Sequence, residues 1–451
     1  MDVLVIGAGP AGVFAALRAA DLGARTTLVT SGAFGGMAAN DGPVPVRTLA
    51  HAARLMREAG QLADYGIRVG EPRLDYPALL ARVREVVGAV RESSAMRRQL
   101  EAAGVRIVEQ AGAARFLDDS TVETAEGMRF AGERIILCTG GTSRQLPIPG
   151  FQYLATHSDA WGLQAVPETM IVLGAGATGL QVASIFAAFG TKVSLFETGP
   201  RIIPGEDEDV SSAVAEGFRA RGIEVREGIG AVDAFEPTYD GIRMIHGGES
   251  VEAALAVSAV GWAADAEALN LGAAGVTTNA RGFIAVDGEG RTAARNVFAA
   301  GDVTGGFMLA PQAMQDGFVA ATAAMGGETR VTACRLVPVG SFTDPEYARV
   351  GMTEKEAGSG ALVTRAVFAE ATRPIIDGRT AGFAKLIVDP GTRAMLGCAV
   401  VGERAVDIVQ VAAVAMAAEM RVDALAHFPL SFPTYAGVLS QLAAKSAYAL
   451  R

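Results

Sequence analysis

The chain has 451 residues, of which half are hydrophobic and a fifth are charged, and its formal net charge is −10. This length exceeds what one hydrophobic core supports and predicts several domains. The acidic balance argues against nucleic acid or an anionic membrane surface as a partner. The apolar runs fall short of a membrane span. The chain enters a strand directly at Met1-Asp2-Val3, which favours a cytoplasmic protein without a basic leader.

The first predicted strand and helix are joined by a dinucleotide fingerprint. Val3 to Ile6 is an apolar run typical of a buried parallel strand. Gly7-Ala8-Gly9-Pro10-Ala11-Gly12 then leads into a helix that runs to about Leu22. In this motif the first glycine makes the turn, the second lets the backbone approach a pyrophosphate, and the third lets the helix pack on the strand.

Further elements follow in the same alternating pattern. A second strand is predicted over Thr26 to Val29 and a helix over Val46 to Leu62. One or two more helices are predicted over Tyr76 to Ala103, and a strand that ends in a glycine turn over Ile135 to Gly141. The second strand ends at Thr30, where a site for FAD usually has an acid. The hydroxyl of Thr30 or of Ser31 is left to bond the ribose.

The strand–glycine–helix pattern then repeats, and this second copy predicts a second nucleotide site. Met170 to Leu173 leads into Gly174-Ala175-Gly176-Ala177-Thr178-Gly179 and a helix to about Phe189. The following strand ends at Glu197. A carboxylate there accepts hydrogen bonds from the ribose hydroxyls and repels a 2′-phosphate, so NADH is favoured over NADPH. Arg201, four residues on, would soften that preference.

The last third of the chain has a different pattern. From about residue 290 the chain returns to the first domain through Asn296 to Asp302, and a boundary is predicted near Cys334. Strands and helices beyond it indicate an α+β domain, with predicted bounds Arg335 to Val339, Phe383 to Asp389, Ala394 to Val401, Ala405 to Ala418 and Thr434 to Ala449. The fold class is therefore α/β, with two Rossmann-like domains and a C-terminal α+β domain.

Five segments resemble, in colinear order, the flavin-dependent pyridine nucleotide-disulfide oxidoreductases, such as dihydrolipoamide dehydrogenase and mercuric reductase. They are Gly35 to Thr48, Thr139-Gly140-Gly141, Ala300-Gly301-Asp302, Phe342 to Glu346, and Ser431-Phe432-Pro433-Thr434-Tyr435. The resemblance covers essentially the whole chain. It implies an FAD domain over 1–150 and 282–333, an NAD domain over 151–281, and an interface domain over 334–451 that forms a homodimer.

The fingerprints and the resemblance together assign the cofactor contacts. The residues expected to bind FAD are Gly7, Gly9, Pro10, Ala11, Gly12, Thr30, Gly36, Met37, Arg47, Thr139, Gly140, Gly141, Gly301 and Asp302. The residues expected to bind NADH are Gly174, Gly176, Thr178, Gly179, Glu197 and Gly261. No metal site is predicted, because the cysteines lack metal-ligand spacing.

This sequence departs from the family's pattern around the flavin. The family's two redox cysteines fall on Ala38 and Pro43, neither of which forms a thiolate or a disulfide. Arg47 takes the place of the lysine near flavin N5, and Gln181 that of the glutamate paired with it. Ala177 takes the place of the aromatic gate of the nicotinamide pocket. Phe432 and Gly437 take the places of the catalytic histidine and of that histidine's glutamate.

These losses predict direct transfer of electrons from flavin to substrate. A histidine–glutamate dyad has no proton to exchange without a thiol, and Phe432 leaves an apolar surface that suits a flat, hydrophobic molecule. We therefore expect an FAD-dependent oxidoreductase that passes electrons from NADH to a small organic acceptor, a quinone first of all. Members of the superfamily that lack the cysteines resemble quinone reductases.

The candidate catalytic residues are Arg47, His51, Gln181, Phe432 and Tyr435. His51 lies one helical turn after Arg47, so both are placed to face the flavin, or His51 is a surface histidine without chemistry. Tyr435 either bonds a substrate carbonyl or packs. Two other functions stay open: a flavin dehydrogenase or oxidase of a small molecule that no longer uses NAD(P)H, and a non-catalytic FAD-binding dimer.

Overall fold

A computed structural model describes residues 1–92, 95–329 and 336–451. The chain forms two compact units, one of Met1–Leu49, Asp75–Arg144 and Gly261–Thr332, and one of Ala50–Leu74, Gln145–Val260 and Ala333–Arg451. The predicted boundary at Cys334 and the start of the strand predicted over Arg335 to Val339 lie outside the described residues. The three-domain division stays a prediction.

The strands of the described residues are short, at three to eight residues each. They are β1 Asp2–Ile6, β2 Arg25–Val29, β3 Arg106–Val108, β4 Ala114–Phe116, β5 Thr121–Thr124, β6 Arg129–Ala131, β7 Arg134–Leu137, β8 Gly141–Ser143, β9 Thr169–Leu173, β10 Lys192–Phe196, β11 Glu224–Arg226, β12 Val232–Pro237, β13 Ile242–His246, β14 Glu249–Ala253, β15 Leu255–Ser258, β16 Trp262–Ala264, β17 Val297–Ala299, β18 Val339–Ser341, β19 Tyr347–Gly351, β20 Leu362–Val367, β21 Gly382–Val388 and β22 Met395–Gly402.

The α-helices of the described residues alternate with these strands. They are α1 Pro10–Asp21, α2 Gly36–Asn40, α3 Pro43–Gln61, α4 Tyr76–Glu92, α5 Ala95–Ala102, α6 His157–Trp161, α7 Ala177–Ala188, α8 Glu208–Ala220, α9 Ala310–Ala324, α10 Glu354–Ala357, α11 Thr372–Ile376, α12 Ala405–Ala417, α13 Val422–His427 and α14 Val438–Ala449. None of them is both long and apolar enough to cross a membrane.

The first unit is built on a parallel sheet in the order β17-β7-β1-β2-β3. Helices α1 and α9 pack against each other and supply alanines to the core on one side of β1. An antiparallel meander, β4-β5-β6, and the pair β16-β8 complete this unit. The parallel sheet and the strand–helix turn after β1 confirm the first predicted Rossmann-like fold.

The second unit contains a parallel sheet and an antiparallel one. The parallel sheet has the order β11-β10-β9-β15, with the meander β12-β13-β14 beside it in sequence. The antiparallel sheet has the order β18-β19-β22-β21-β20, and its core cluster includes residues of α12, α13 and α14. This arrangement confirms a second Rossmann-like sheet and a C-terminal α+β sheet.

Element boundaries differ from the predictions where proline and hydrogen bonding decide them. The helix predicted from Val46 begins at Pro43, because proline in a first helical turn loses no hydrogen bond. The helical region from Tyr76 divides into α4 and α5. The predicted strand that ends at Val339 is instead β18, which begins there. The last predicted helix opens with a 3-10 turn before α14 starts at Val438.

A fully buried lysine ties together three acids of the second unit. Lys385 Nζ donates to Asp207, Asp209 and Glu354 at 2.7, 2.8 and 2.7 Å. These carboxylates lie close enough together to hold a metal ion, but the ammonium already occupies the space between them. The cluster is therefore a buried ion pair network, in which the charge of each member is offset by the others.

A second charged cluster lies where the antiparallel sheet meets α3. Arg57 bonds Glu403 at 2.8 Å and Asp344 at 2.6 Å, and Arg221 bonds the same oxygen of Asp344 at 2.6 Å. Arg54 also pairs with Glu403. Burial alone would raise the pKa of Asp344, but its hydrogen bonds and charge pairing with Arg221 and Arg57 outweigh that effect and hold the pKa below its usual range.

Glu346 is the acid of this cluster that the arginines leave uncompensated. Its carboxylate accepts a long hydrogen bond, 3.5 Å, from the Val406 backbone N–H. Burial, and then the negative charge of Glu403, raise the pKa of Glu346 to about 7, while Arg54 opposes this rise and Asp407 adds to it. Glu346 therefore holds a proton in the folded protein under conditions in which a solvated glutamate has lost it.

We expect Glu346 to make the protein less stable as the pH rises from about 4.5 to about 7. The folded-state pKa lies above the unfolded one, so this stabilisation is complete at low pH and is lost as the pH passes through the folded pKa. The loss is on the order of 3 kcal/mol. Glu346→Gln should unfold like the wild type at pH 5 and be more stable at pH 8, measured by denaturant unfolding. The exposed Glu249→Gln is the control, and an equal pH dependence in both variants contradicts the prediction.

Candidate functional site

In the first glycine fingerprint, close backbone contacts require glycine at two positions, Gly7 and Gly12. The third position, Gly9, faces open space. Gly7 has φ +105°, and a β-carbon there would lie 2.1 Å from the Cys138 carbonyl oxygen. A β-carbon on Gly12 would lie 1.7 Å from the Gly7 carbonyl oxygen. Gly9 has an ordinary φ of −75°, and its nearest neighbour would be the Gly36 α-carbon at 4.0 Å. The open space at Gly9 fits the pyrophosphate of a dinucleotide.

The other residues predicted to bind FAD surround this turn. The Gly35 N–H donates to the Ala8 carbonyl at 2.9 Å, which brings the next segment against the fingerprint. A β-carbon on Gly36 would lie 2.7 Å from the Gly9 α-carbon. On the other side, a β-carbon on Gly301 would lie 2.8 Å from that of Ala11. The carboxyl ends of β1, β7 and β17 therefore bring these glycines together.

Asp302 and Thr139 lie at the same edge of the sheet. The Asp302 β-carbon is 3.6 Å from the point where Gly141 would carry one. The Thr139 hydroxyl donates to the Asp265 carbonyl at 2.5 Å, and Thr30 is buried at the end of β2. Burial, and then the negative charge of Asp316, raise the pKa of Asp302. The site therefore holds a carboxyl group that a ribityl hydroxyl can bond.

The sequence alone did not single out two polar side chains beside Asp302. Gln312 Nε2 donates to the Asp316 carboxylate at 2.5 Å, and the Gln312 carbonyl oxygen is buried without a hydrogen-bond partner. Their spacing of four residues on α9 was the only signal. An unpartnered buried acceptor costs free energy unless a ligand or water donates to it. This observation supports a polar ligand at this place.

The segment that corresponds to the family's redox segment contains no thiol. Pro43 opens α3, and the Gly42 carbonyl accepts the Val46 N–H at 3.1 Å. Asn40 braces the segment by donating to the carbonyls of Phe34 and Gly36 at 3.1 and 2.8 Å. Nothing in the described part of this segment can form a thiolate.

The described cysteines lie in the core. Burial raises the pKa of the Cys138 thiol far above its usual range and that of Cys398 to about 12. A thiol with a raised pKa is a poor nucleophile. Among residues 1–92, 95–329 and 336–451 there is therefore no cysteine suited to redox exchange.

Two of the candidate catalytic residues are exposed on α3. Arg47 lies in the second turn of the helix and His51 one turn later, and both side chains face solvent. Their spacing of four residues puts them on one face of the helix. The helix thus presents a fixed cation close in sequence to Gly36.

In the second fingerprint, too, the first and third glycines lie in close backbone contacts and the middle glycine does not. A β-carbon on Gly174 would lie 2.5 Å from the Ala259 carbonyl oxygen, and one on Gly179 would lie 1.8 Å from the Gly174 carbonyl oxygen. No atom lies within 4 Å of the corresponding point on Gly176, whose φ is −80°. The middle glycine again leaves open space, as a pyrophosphate site requires.

Glu197 is fixed against this fingerprint. Its carboxylate accepts the backbone N–H groups of Ala175 at 2.9 Å and Gly199 at 2.8 Å. Two N–H donors orient the carboxylate at the carboxyl end of β10, the position predicted to contact the ribose of NADH. Gly261, also predicted to bind NADH, belongs to the first unit and has φ +106°.

The residues at the positions that the resemblance assigns to the nicotinamide gate are small or neutral. Ala177 is exposed at the start of α7, and Thr178 follows it. Gln181 Nε2 donates to the Ala177 carbonyl at 3.2 Å, so its amide lies along the first turn of the same helix. This end of α7 carries no charge.

The last two candidate residues lie in the C-terminal α+β region. Phe432 is 81% exposed. Tyr435 is half-buried, and its hydroxyl donates to Asp377 Oδ2 at 3.0 Å. The structure therefore gives the Tyr435 hydroxyl a protein partner and leaves the Phe432 ring open to solvent.

Comparison with known proteins finds the same architecture. Residues 1–317 match the family of pyridine nucleotide-disulphide oxidoreductases, and residues 337–443 match the dimerisation domain of that family. Dihydrolipoyl dehydrogenase 2 of Haloarcula marismortui is 33% identical over 461 residues, which cover 98% of this chain and 96% of that protein. Dihydrolipoyl dehydrogenase of Zymomonas mobilis is 33% identical over 422 residues, 91% of this chain and 90% of that protein.

Solved structures agree over nearly the full length. LpdA from Mycobacterium tuberculosis has a TM-score of 0.90 at 26% identity and covers 99% of both chains. The HOCl-induced flavoprotein disulfide reductase RclA from Escherichia coli has a TM-score of 0.88 at 26% identity, over 98% of this chain and 99% of that chain.

We expect Gly176→Ala to weaken NADH binding without unfolding the protein. The added methyl has room and an ordinary φ in the free protein, but it fills the space that the pyrophosphate needs. Lost hydrogen bonds to a charged group correspond to about a tenfold or larger rise in the dissociation constant. Titration of NADH and a thermal melt measure the two effects. Gly272→Ala, which also has open space, is the control, and an unchanged NADH affinity in Gly176→Ala contradicts the assignment.

Proposed function

The chain belongs to the pyridine nucleotide-disulphide oxidoreductase family, whose members bind FAD and use NAD(H), and we propose that it reduces a non-disulfide organic acceptor at the expense of NADH. A quinone is the acceptor class that we propose. In such an enzyme the bound FAD accepts a hydride from the nicotinamide and passes two electrons to the acceptor. The protein binds and orients both dinucleotides and shapes the acceptor site.

The observation that carries the proposal is a cofactor framework that lacks any thiol where the redox pair belongs. Ala38 and Pro43 occupy the two positions that the resemblance assigns to cysteines, and Pro43 opens α3. The fingerprints around Gly9 and Gly176 nevertheless keep the open space that a dinucleotide needs. Electrons from NADH therefore have no protein disulfide to pass through.

The acceptor class that we propose rests on the aromatic ring at position 432. Phe432 offers an exposed aromatic ring at the position that the resemblance gives to a proton-transferring histidine. An aromatic ring attracts a flat, apolar molecule by stacking and burial of surface. A quinone takes up two electrons without thiol chemistry, so the loss of the histidine and the cysteines fits one substrate class.

Arg47, His51 and Gln181 complete the proposed site. Arg47 holds a permanent positive charge, and Gln181 is neutral where the resemblance gives a glutamate. A fixed cation near the flavin makes electron uptake more favourable. His51, on the same face of α3, is the residue that we propose for proton delivery to the reduced acceptor.

The assembly that we propose is a cytoplasmic homodimer with separate FAD, NAD and interface domains. The dimerisation domain over residues 337–443 supports it. Glu197, held by two backbone N–H groups, supports a preference for NADH over NADPH.

We expect anaerobic NADH to bleach the flavin of the purified protein and a soluble quinone such as menadione to restore its colour. Oxidised lipoamide should restore it far more slowly, because the Gly35 to Thr48 segment has no thiol to attack the disulfide. The measurement is flavin absorbance after rapid mixing, and Gly176→Ala, reduced slowly by NADH but normally by dithionite, is the control. Reoxidation by lipoamide as fast as by menadione contradicts the proposal. A flavin that only another small molecule reduces supports the dehydrogenase alternative, and one that nothing reduces supports the non-catalytic dimer.

We expect Arg47→Met to lower the midpoint potential of the bound flavin by tens of millivolts. Loss of a unit charge at short range is worth about 1–4 kcal/mol, and 30 mV corresponds to about 1.4 kcal/mol for two electrons. Equilibration with dyes of known potential measures the change. Arg243→Met removes a surface arginine of β13 and should leave the potential unaltered. An unaltered potential in Arg47→Met removes Arg47 from the flavin site.

A further inference from the structure

The segment that carries Phe432 is short and held by few bonds of its own. We call residues 431–437 the Phe432 segment. Within it, the Thr434 hydroxyl donates to the Ser431 carbonyl at 2.8 Å, and the Gly437 N–H donates to the Thr434 carbonyl at 3.2 Å. The Phe432 ring is 81% exposed. Something outside the segment must therefore fix its direction.

Tyr435 is the residue that attaches the Phe432 segment to the rest of the unit. Its ring lies 6.2 Å from that of Phe368, which is fully buried. Its hydroxyl donates to Asp377 Oδ2 at 3.0 Å. A hydrogen bond to a carboxylate is stronger than one between neutral groups. The Arg373–Asp377 ion pair beside it is exposed and contributes little.

Asp377 is itself fixed from the opposite side. Its backbone carbonyl accepts Gln61 Nε2 at 2.9 Å, and the neighbouring Ile376 carbonyl accepts the Tyr65 hydroxyl at 2.7 Å. Gly378, at φ +62°, lets the backbone approach, because a β-carbon there would lie 2.6 Å from Gln61 Nε2. The end of α11 is thus a rigid anchor, and Tyr435 is the link from that anchor to the Phe432 segment.

We propose that Asp377 is a positioning residue for the electron acceptor, because through the Tyr435 hydroxyl it fixes the Phe432 segment so that the Phe432 ring forms one wall of the acceptor site. The inference rests on the proposed quinone reductase function and deepens it by assigning a role to residues remote from both fingerprints. Tyr435 then has a structural role, because it connects Asp377 to the Phe432 segment. Its hydroxyl is already bonded, and burial together with the Asp377 carboxylate raises its pKa, which makes it a poor proton donor to substrate.

The position of the Phe432 ring affects binding of the acceptor and does not affect reduction of the flavin by NADH. A misplaced ring reduces stacking with a flat acceptor, so the KM for the quinone rises. The Glu197 carboxylate is held by the backbone N–H groups of Ala175 and Gly199, which do not depend on this link. Loss of the Asp377–Tyr435 hydrogen bond should therefore weaken acceptor binding and leave flavin reduction by NADH unchanged. A general loss of stability would affect both reactions.

The test compares Tyr435→Phe, Asp377→Ala and the double variant of the full-length protein with bound FAD. In each we expect the KM for menadione to rise about tenfold, equivalent to about 1.4 kcal/mol, while NADH bleaches the flavin at the wild-type rate. The double variant should be no worse than the worse single variant, because both remove one link. Asp377→Asn keeps an acceptor for the Tyr435 hydroxyl and should restore most of the affinity. Tyr239→Phe, on a fully exposed tyrosine, is the control.

Hydrogen exchange of a peptide spanning residues 429–439 tests, independently of the acceptor, whether the Tyr435–Asp377 hydrogen bond holds the Phe432 segment in place. Tyr435→Phe and Asp377→Ala should exchange faster there than the wild type and Tyr239→Phe. Unchanged exchange, an unchanged KM for menadione, or additive effects in the double variant each overturn the inference. If the wild type fails to reduce menadione, the proposed function fails, and the exchange rates alone decide whether Asp377 positions the segment.

Discussion

Both nucleotide-binding sheets of this protein depend on one close approach, between the strand–helix turn and the carbonyl at the end of the neighbouring strand. Gly7 makes it against Cys138 in the first unit, and Gly174 makes it against Ala259 in the second. Any side chain at either glycine would overlap the backbone. The approach draws the helix N-terminus over the sheet edge and leaves the middle glycine of each motif facing open space, so both cofactor sites are built from backbone.

A cofactor site built from backbone can survive the loss of reactive side chains. Ala38 and Pro43, at the positions that the resemblance gives to two redox cysteines, lie outside both fingerprints, and Pro43 suits the first turn of α3 better than a cysteine does.

The second unit is held by buried charges to an unusual degree. Lys385 joins three acids, and Arg57 joins two. A buried ion pair adds little net stability but is costly to break, so it fixes geometry more than it adds to the free energy of unfolding. Glu346 is the member whose charge is left unbalanced, and its raised pKa is the consequence.

Local patterns in the sequence were enough to identify the fingerprints, the strands and helices around them, and Glu197. Each of these depends on neighbours within a few residues, where hydrophobic period, glycine placement and helix capping act. Helix ends were less certain, since proline tolerance in a first turn moved the start of α3 to Pro43. Gln312 and Asp316 share only a four-residue spacing, which is common on any helix.

The sequence by itself determined that this protein has two backbone-built dinucleotide sites and no redox thiol in the Gly35 to Thr48 segment, because both statements concern residue types at adjacent positions. Only the tertiary structure decided which side chains meet across long separations. Tyr435 bonds Asp377, 58 residues away, and Lys385 bonds Asp207, 178 residues away. Neither pair has a local signature, since burial and ion pairing depend on how sheets and loops pack and not on the order of residues along the chain.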